Sequence, residues 1–471
     1  MLQPVNTLPP EIISRIAQCS RGHAFNGAKN IIPLTHVCRY WRESMISAPE
    51  IWTSVTDFPM GLWALCLERS KTVPLQLQFS RSRIGGRSWF RDLMAPHIQN
   101  TETLRFEEIK SIVELTEILP NFPQSMPNLR SLALARYDES NDDNPNPSPI
   151  DDYDDAPWDP IFDPFGSFPN TLKSLSLDDI PLYPSFLKLR TLTELSLYYR
   201  ELNAPLDTIL DFVEENRSLK SVYLSTDSPP DRASQPQAVI ANPLQRLSIS
   251  SCDIPTIRTV ISSIPLRRRG HMEIEFHSSD EELGLNDILS NISTTHLPNL
   301  LSPTSMRYQT FPRRIRLAGP NGSFSYVAWW TSEYPFTEFP VLPLSSIREF
   351  HLVDSETSVP LHPPSLPALE ALTVQSRTHT SRLFSTLFPN PSLFPSLKTL
   401  GFLDCDLSEG FMKELARFAS DRKRTASAWL HRVLIIHQDG KFPSGASIRA
   451  LRASVAIVDI RMDDKFPADL V

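Results

Sequence analysis

Glycine is scarce in this chain: 14 of its 471 residues are glycine, whereas 43 are proline. Long glycine-hinged loops are therefore not expected, and proline must punctuate many of the elements. The signatures of phosphate-binding loops, zinc proteases, serine hydrolases and calcium loops are missing. The sequence therefore predicts no enzyme, no cofactor and no metal site.

Cysteine and long apolar runs are also scarce. The five cysteines, Cys19, Cys38, Cys66, Cys252 and Cys405, are at least 19 residues apart, which excludes paired-cysteine metal and redox motifs. Their sparse, odd number favours reduced thiols and a cytoplasmic or nuclear location. No apolar run approaches the ~20 residues of a membrane span, and no signal-peptide pattern is present, so no membrane association is expected.

The charge is moderate and unevenly distributed. A formal net charge of −8 gives no signal for nucleic-acid binding. The segment Asp138–Asp163 contains ten Asp or Glu residues and no Lys or Arg. We expect an acidic, proline-rich insertion at about residues 137–168, whose aromatic half, Ala156–Phe168, either covers the rest of the fold or binds a partner.

Three short basic clusters are present, at Arg267–Arg269, Arg313–Arg316 and Arg422–Arg424. A solvated surface is the expectation for each. Nuclear targeting by the third cluster is the alternative, although a run of three residues is a weak signal.

The first 52 residues have the pattern of a small helical module. Pro9, Pro10 and Glu11 suit a first helical turn, followed by Ile12, Ile13 and Ile16 on one face. A polar loop is expected at Ser20–Asn30. A second helix is predicted to open at Pro33, because four apolar residues then recur at helical spacing, namely Leu34, Val37, Trp41 and Met45.

A short pattern of alternating apolar residues recurs along the rest of the chain, clearly at Asn128–Leu134 and Thr171–Leu177. Its central residues are 77, 104, 132, 175, 195, 222, 247, 274, 315, 350, 372, 400, 433 and 458. Most spacings fall in the range of leucine-rich repeats, about 20–29 residues. Each repeat predicts one short strand and a return segment, which is helical at Asp207–Glu215 and Leu407–Phe418.

The predicted fold class is therefore α/β. A three-helix module at residues 1–58 is followed by a leucine-rich-repeat solenoid at residues 59–471, interrupted by the acidic insertion. Fourteen strands stacked at ~4.8 Å give a curved parallel sheet with a concave face of roughly 60 Å. That size suits a protein partner.

The N-terminal residues resemble a known motif. Leu8–Ile13, Val37–Arg42 and Pro49–Trp52 match the order and gaps of the F-box motif, LPxE…VCxxWR…PxLW. The continuation at Leu65–Leu75 is similar to that of fungal F-box proteins, and Ile51 stands where the motif usually has Leu.

The resemblance implies a substrate-recognition subunit of a Skp–cullin–F-box type ubiquitin ligase. The module would bind a Skp-type adaptor and, through it, a cullin–RING ligase, while the repeats bind an unknown protein substrate. The alternative is a non-degradative scaffold that binds the adaptor without a cullin. The residues that the resemblance assigns to adaptor binding are Leu8, Pro9, Glu11, Ile12, Ile16, Val37, Cys38, Trp41 and Trp52. For Ile16, Val37 and Trp41, a position in the core of the module is the alternative.

Outward positions on the predicted strands are the candidate substrate contacts, because alternate residues of a strand face away from the core. Tyrosine and arginine dominate interface energies. The candidates are Tyr198, Tyr223, Arg246, Glu275, His277, Arg314 and Arg316. The alternative is that these residues are simply solvated, as on any repeat surface.

Overall fold

A computed structural model describes residues 8–20, 27–56, 60–80, 94, 96–109, 126–136, 168–199, 205–226, 243–276, 285–289, 292, 297, 300–309, 313–328, 342, 344–354, 366–376, 394–405, 407–425, 429–437 and 444–462. His277 and the expected acidic insertion, except Phe168, lie outside the described residues. Contacts divide the chain into two compact units, Met1–Leu219 and Lys220–Val471. The predicted boundary at residue 58 stays a prediction.

The N-terminal module is helical. It contains α1 (Pro10–Ser20), α2 (Gly27–Thr35), α3 (Arg39–Ile46) and a 3-10 helix at Pro49–Trp52. Helix α1 packs on α3, and the 3-10 helix contacts all three helices. The buried apolar residues of this module are Ile13, Ala17, Ile31, Trp41, Met45, Ile51 and Trp52.

The predicted course of the second helix was wrong. Pro33 lies inside α2, which begins within the expected polar loop and ends at Thr35. A separate helix, α3, then starts at Arg39. Cys38 caps that helix, because its Sγ accepts the N–H of Trp41 at 3.5 Å. Val37 therefore lies in the connection, 53% exposed, and not on the face that buries Trp41.

The first unit continues as a parallel sheet. Helix α4 (Met60–Ser70) and the short helices α5 (Pro184–Leu187) and α6 (Leu206–Glu215) alternate with its strands, and a 3-10 helix spans Ile98–Asn100. The strands are β1 (Ser54–Val55), β2 (Leu75–Ser80), β3 (Thr101–Ile109), β4 (Ser131–Arg136), β5 (Ser174–Asp178) and β6 (Glu194–Tyr199). Each pairs in parallel with the next, and β1 thereby connects the helical module to the sheet.

The second unit repeats this arrangement with one interruption. Its strands are β7 (Ser221–Thr226), β8 (Leu244–Ser250), β9 (Leu266–Phe276), β10 (Ser305–Gln309), β11 (Arg313–Gly319), β12 (Gly322–Ala328), β13 (Glu349–Asp354), β14 (Ala371–Ser376), β15 (Thr399–Leu403), β16 (Arg432–His437) and β17 (Ile457–Met462). Their spatial order is β7-β8-β9-β12-β11-β10-β13-β14-β15-β16-β17. Strand β11 is antiparallel to its neighbours β10 and β12, and all the other pairs are parallel.

Helices return the chain between several strands of the second unit. They are α7 (Ile254–Ser263), α8 (Leu285–Leu289), α9 (Glu409–Thr425) and α10 (Gly445–Arg452), and a 3-10 helix spans Leu344–Ser346. Helix α7 contacts α8, and α9 contacts α10. The predicted return helices at Asp207–Glu215 and Leu407–Phe418 correspond to α6 and α9.

One backbone connection recurs from repeat to repeat. The carbonyl of the residue before a strand accepts two N–H groups at the start of the next strand. Lys398 O, for example, accepts the N–H of His431 at 2.7 Å and that of Arg432 at 3.0 Å. The carbonyls of Arg130, Lys173, Lys220, Thr304, Arg348 and Glu370 do the same. This repeated register confirms the repeat-like α/β fold class, which is compatible with a leucine-rich-repeat solenoid.

All fourteen predicted central residues lie on strands, and all but Val458 are buried. Two features of the sheet differ from the prediction. The strand around Ile315 is antiparallel, because it belongs to a hairpin and not to a repeat. Strands β1, β10 and β12 were not predicted.

Candidate functional site

The helical module presents apolar side chains to solvent. Ile12 is 44% exposed and Val37 is 53% exposed, while Pro9 and Glu11 are exposed beside Ile12. Leu8, Ile16 and Cys38 are half-buried. We call the set Leu8, Pro9, Ile12, Ile16 and Val37 the N-terminal apolar surface.

A hydrogen bond holds the two parts of this surface together. Tyr40 Oη donates to Leu8 O at 2.8 Å. It brings the start of α1 next to the N-terminal end of α3, which Val37 and Cys38 directly precede. A second bond, from Ser14 Oγ to Glu50 Oε1 at 2.8 Å, ties α1 to the 3-10 helix.

The two tryptophans of the F-box-like pattern are inside the module. Trp41 is 6% exposed and Trp52 is 1% exposed. The guanidinium of Arg69, from α4, lies 4.5 Å from the centre of the Trp52 ring. Their positions fit side chains that hold the helices in place, whereas Ile12 and Val37 are exposed to solvent.

A second candidate surface is the outward side of strands β7–β13, which we call the open face. Register places several of its residues directly opposite one another on neighbouring strands, about 4.8 Å apart per strand. The central row, in spatial order, is Tyr223, Ser248, Glu273, Ser325, Arg316, Arg307 and His351. The structure thus brings together Tyr223, Arg246, Glu275, Arg314 and Arg316, five of the seven predicted substrate contacts.

Arginines crowd one part of the open face. Arg246, Arg307, Arg314 and Arg316 form no ion pair among the described residues. Arg307 stands directly opposite Arg316 in the antiparallel pair of β10 and β11. Burial and then the positive charges of Arg316 and Arg314 lower the pKa of Arg307. Arg307 was not among the predicted substrate contacts, although the alternation Met306-Arg307-Tyr308 is typical of a strand with Arg307 on its outward side.

Carboxylates lie beside the arginines. Glu273 and Glu275 on β9 accept hydrogen bonds from the hydroxyls of Ser248 and Ser250, at 3.3 Å and 3.4 Å. Both serines are buried, so the carboxylates are held in defined positions. Tyr223 stands on the far side of Ser248, and burial raises the pKa of its phenol. The open face is therefore divided into an acidic and a basic part.

A cavity of about 650 Å³ opens in the basic part. It is lined by Gln245, Arg246, Arg267, Arg269, His271, Arg316 and Ser323. His271 Nδ1 lies 2.6 Å from Ser323 Oγ, and its Nε2 lies 3.9 Å from Glu273 Oε2. Burial, together with Arg246 and Arg316, lowers the pKa of His271 against the opposing effect of Glu273.

His351 is a half-buried imidazole next to this cavity, and its Nε2 atom is shielded from solvent. It lies opposite Arg307, and its Nε2 has no hydrogen-bond partner among the described residues. Burial and the charge of Arg307 lower its pKa to about 4. At neutral pH His351 therefore adds no charge to the basic part of the open face.

Tyr198 lies in the first unit, on β6. It is 36% exposed and stands opposite Asp178, whose pKa is raised by burial and by Asp179. Its role in substrate contact stays a prediction.

Comparisons with known proteins give no family assignment. No protein-family model matches the chain, and no curated protein matches it significantly. In the part of the chain that the structure describes, no helix is long and apolar enough to cross a bilayer. The described residues also contain no group of three or more His, Cys, Asp or Glu arranged to hold a metal ion.

Proposed function

We propose that this chain is an F-box protein: the substrate-recognition subunit of a Skp–cullin–F-box type ubiquitin ligase. The N-terminal apolar surface binds a Skp-type adaptor, and the open face of the second unit binds the target protein. In this proposal the chain works in the cytoplasm, the nucleus or both. It contributes no bond-making residue, because a separate conjugating enzyme supplies ubiquitin.

The exposure of Ile12 and Val37 carries the proposal. The described residues include seven exposed large hydrophobic side chains, and three of them, Ile12, Val37 and Ile46, fall within the small helical module. Adjoining exposed apolar side chains are typical of an interaction site, and the Tyr40–Leu8 hydrogen bond brings together the segments that carry Ile12 and Val37. Two of the three, Ile12 and Val37, also occupy positions of the F-box-like pattern, whose tryptophans are buried inside the module.

The second unit supports the other half of the proposal. The open face offers tyrosine, arginine and paired carboxylates on a regular strand framework, and such residues commonly anchor protein partners. A receptor of this kind acts by proximity: it raises the effective concentration of substrate lysines near the charged conjugating enzyme.

Purification of the tagged chain from cells with a blocked proteasome tests the proposal. Recovery of a Skp-type adaptor together with a cullin supports the ligase subunit. Recovery of the adaptor without a cullin favours the non-degradative scaffold. Absence of the adaptor, or equal recovery with the double variant Leu8→Ala, Pro9→Ala, contradicts both.

A further inference from the structure

We propose that two copies of this chain form a symmetric dimer in which their β17 strands (Ile457–Met462) pair edge to edge and antiparallel. The partner that this edge fits is a second copy of the chain. Backbone hydrogen bonds join the two strands, and two reciprocal ion pairs between Asp459 and Arg461 fix their register. The inference goes beyond the proposed function and does not depend on it.

Strand β17 lies at an edge of the sheet of the second unit. In the part of the chain that the structure describes, β16 is its only strand partner. Ile457 N–H donates to His431 O at 3.0 Å on the β16 side. Because the backbone groups of successive residues alternate between the two sides of a strand, those of Val458 and Ile460 face the other side. Such an edge is a template for pairing with another strand.

The core-facing side chains of β17 are less covered than those of its neighbour. Val433 and Ile435 on β16 are completely buried. Val458 and Ile460, which stand opposite them on β17, are only half-buried. Solenoids commonly end in a repeat with a polar outer face, and these two residues are apolar. A strand added beside β17 would cover them, so the hydrophobic effect favours occupation of this edge.

Strand β17 has few of the features that protect a sheet edge. Proteins shield exposed edges with proline, lysine, a bulge or a very short strand. This strand has six residues, contains neither proline nor lysine, and pairs with β16 without a shift in register. Its two charged residues, Asp459 and Arg461, form an ion pair at 2.9 Å. The edge is therefore regular and carries no net charge that would repel a like strand.

The charge pattern of β17 is complementary to itself. Asp459 and Arg461 flank Ile460. In an antiparallel pair with its two-fold axis at Ile460, Asp459 of each copy falls opposite Arg461 of the other. Opposite charges directly across two strands stabilise the pair, and like charges destabilise it. An axis at Asp459 would instead place two carboxylates opposite each other, so charge selects the register centred on Ile460.

Backbone geometry allows the same register. Directly opposite residues of an antiparallel pair alternate between those that exchange two hydrogen bonds and those that exchange none. Ile460 faces the free side, so it can exchange both bonds with Ile460 of the second copy. Asp459 and Arg461 face β16 and form the pairs without hydrogen bonds, whose side chains approach more closely. Asp459 accepts from Arg432 and Arg461 through Oδ2, at 2.9 Å each, which leaves Oδ1 for the second copy.

Charge exchange across the two-fold axis tests the inference. Sedimentation velocity of the full chain from about 1 to 100 µM should show a monomer–dimer equilibrium, since one short strand pair is smaller than a standard interface. Asp459→Arg and Arg461→Asp should each weaken self-association about tenfold or more, because each places like charges opposite each other. Lys413→Glu, a charge reversal at an exposed position of α9, is the control and should associate as wild type does.

A 1:1 mixture of the two variants provides the decisive comparison. In a mixed pair, each introduced side chain lies opposite one of opposite charge. The mixture should therefore associate within about threefold of wild type. Circular dichroism of each variant checks that it is folded.

A chain that stays monomeric throughout this range would overturn the inference. Wild-type self-association by both single variants would place the contact on another surface, and two folded variants that fail to associate when mixed would exclude the antiparallel register. A variant ending at residue 462 tests the other possible occupant. If it dimerises while the full chain does not, residues 463–471 occupy the edge in place of a second copy. Adaptor binding is measured alongside and should be the same in all variants, so the outcome is independent of the proposed function.

Discussion

Trp52 donates its indole N–H to the main-chain oxygen of Met45 at 2.9 Å. The donor is buried, and the acceptor lies in the last turn of α3. The bond fixes the 3-10 helix against α3. Trp52 therefore stabilises the packing of the module, whereas Ile12 and Val37 remain exposed on its surface.

Trp52→Phe is expected to destabilise the first unit by about 2 kcal/mol, because it removes a buried hydrogen bond and ring volume, while Met45 O keeps only the backbone N–H groups of the helix end, such as that of Ala48 at 3.3 Å. Chemical denaturation followed by tryptophan fluorescence and circular dichroism measures the loss. Below its melting temperature, the variant should still bind the adaptor with the affinity of wild type. A folded variant with abolished binding would show that Trp52 contacts the partner directly.

Arg422 is the first residue of a basic run that we expected to be solvated, but its side chain is completely buried. Its Nη1 donates to Phe394 O at 2.9 Å, and its Nη2 donates to Leu397 O at 3.0 Å. Arg422 thus fastens α9 to the segment before β15. The expected solvated surface was wrong for this residue.

Arg422→Met should cost about 3 kcal/mol of stability, because charge-assisted hydrogen bonds to buried carbonyls are lost. Arg424→Met, in the same run but exposed, serves as the matched control and should change stability by less than about 0.5 kcal/mol. Urea denaturation of both variants provides the comparison. Similar stability of the two would mean that the Arg422 hydrogen bonds contribute little.

Gly322→Ala should destabilise the second unit by at least about 2 kcal/mol, because alanine is strained at positive φ and its Cβ meets Gly270 O. The control is Gly61→Ala in α4, where an added Cβ has nothing within 4 Å and a gain of up to about 1 kcal/mol is expected. Thermal melting compares the two. An unchanged melting temperature of Gly322→Ala would show that the added Cβ is accommodated without strain against Gly270 O.

Stability should fall in mild acid because of His351. Its pKa is lowered to about 4 in the folded chain, so between pH 6.5 and 4 the unfolded chain takes up a proton that the folded chain does not. The contribution of neutral His351 to the free energy of unfolding is complete above pH 6.5. It decreases as the pH falls towards 4, by up to about 3 kcal/mol. The pKa of His271 is also lowered, so this residue likewise makes stability decrease as the pH falls.

His351→Gln removes this titrating group. Melting temperatures measured from pH 7 to pH 4 should therefore fall less steeply in the variant than in wild type. Parallel curves for the two proteins would mean that His351 accepts a proton in the folded chain as readily as in the unfolded one.

The repeats could be predicted well because apolar alternation reports directly on burial. Leu132, Leu175 and Leu247 are buried strand residues where the pattern placed them. The antiparallel β11 was missed even though Asn321-Gly322 between alternating segments is a hairpin signal. The alternation around Ile315 resembled a repeat strand and concealed it, although its spacings of 41 and 35 residues to the neighbouring centres, Ile274 and Phe350, exceed the repeat range of about 20–29 residues.

The candidate sites were only partly predictable. Alternation placed Arg246, Arg314 and Arg316 on the outward face. Arg267 and Arg269 line the cavity at the point where the register between β8 and β9 shifts, and no local sequence pattern predicts that shift. Val37 fitted a helical period and was separated from it by the Cys38 cap. The positions of Arg267 and Arg269 depend on the pairing register of distant strands, and that of Val37 depends on the geometry of the Cys38 cap.

Binding of a purified Skp-type adaptor to the N-terminal apolar surface is tested most directly by titration against the double variant Ile12→Ala, Val37→Ala. Both side chains are exposed, so the variant should fold as wild type does. Ile457→Ala, at an equally exposed isoleucine of the second unit, is the matched control. The double variant should bind about thirtyfold or more weakly, since each anchor contributes roughly 1 kcal/mol or more, and the control should bind normally. Equal affinity of all three proteins for the adaptor would contradict the proposed role of this surface.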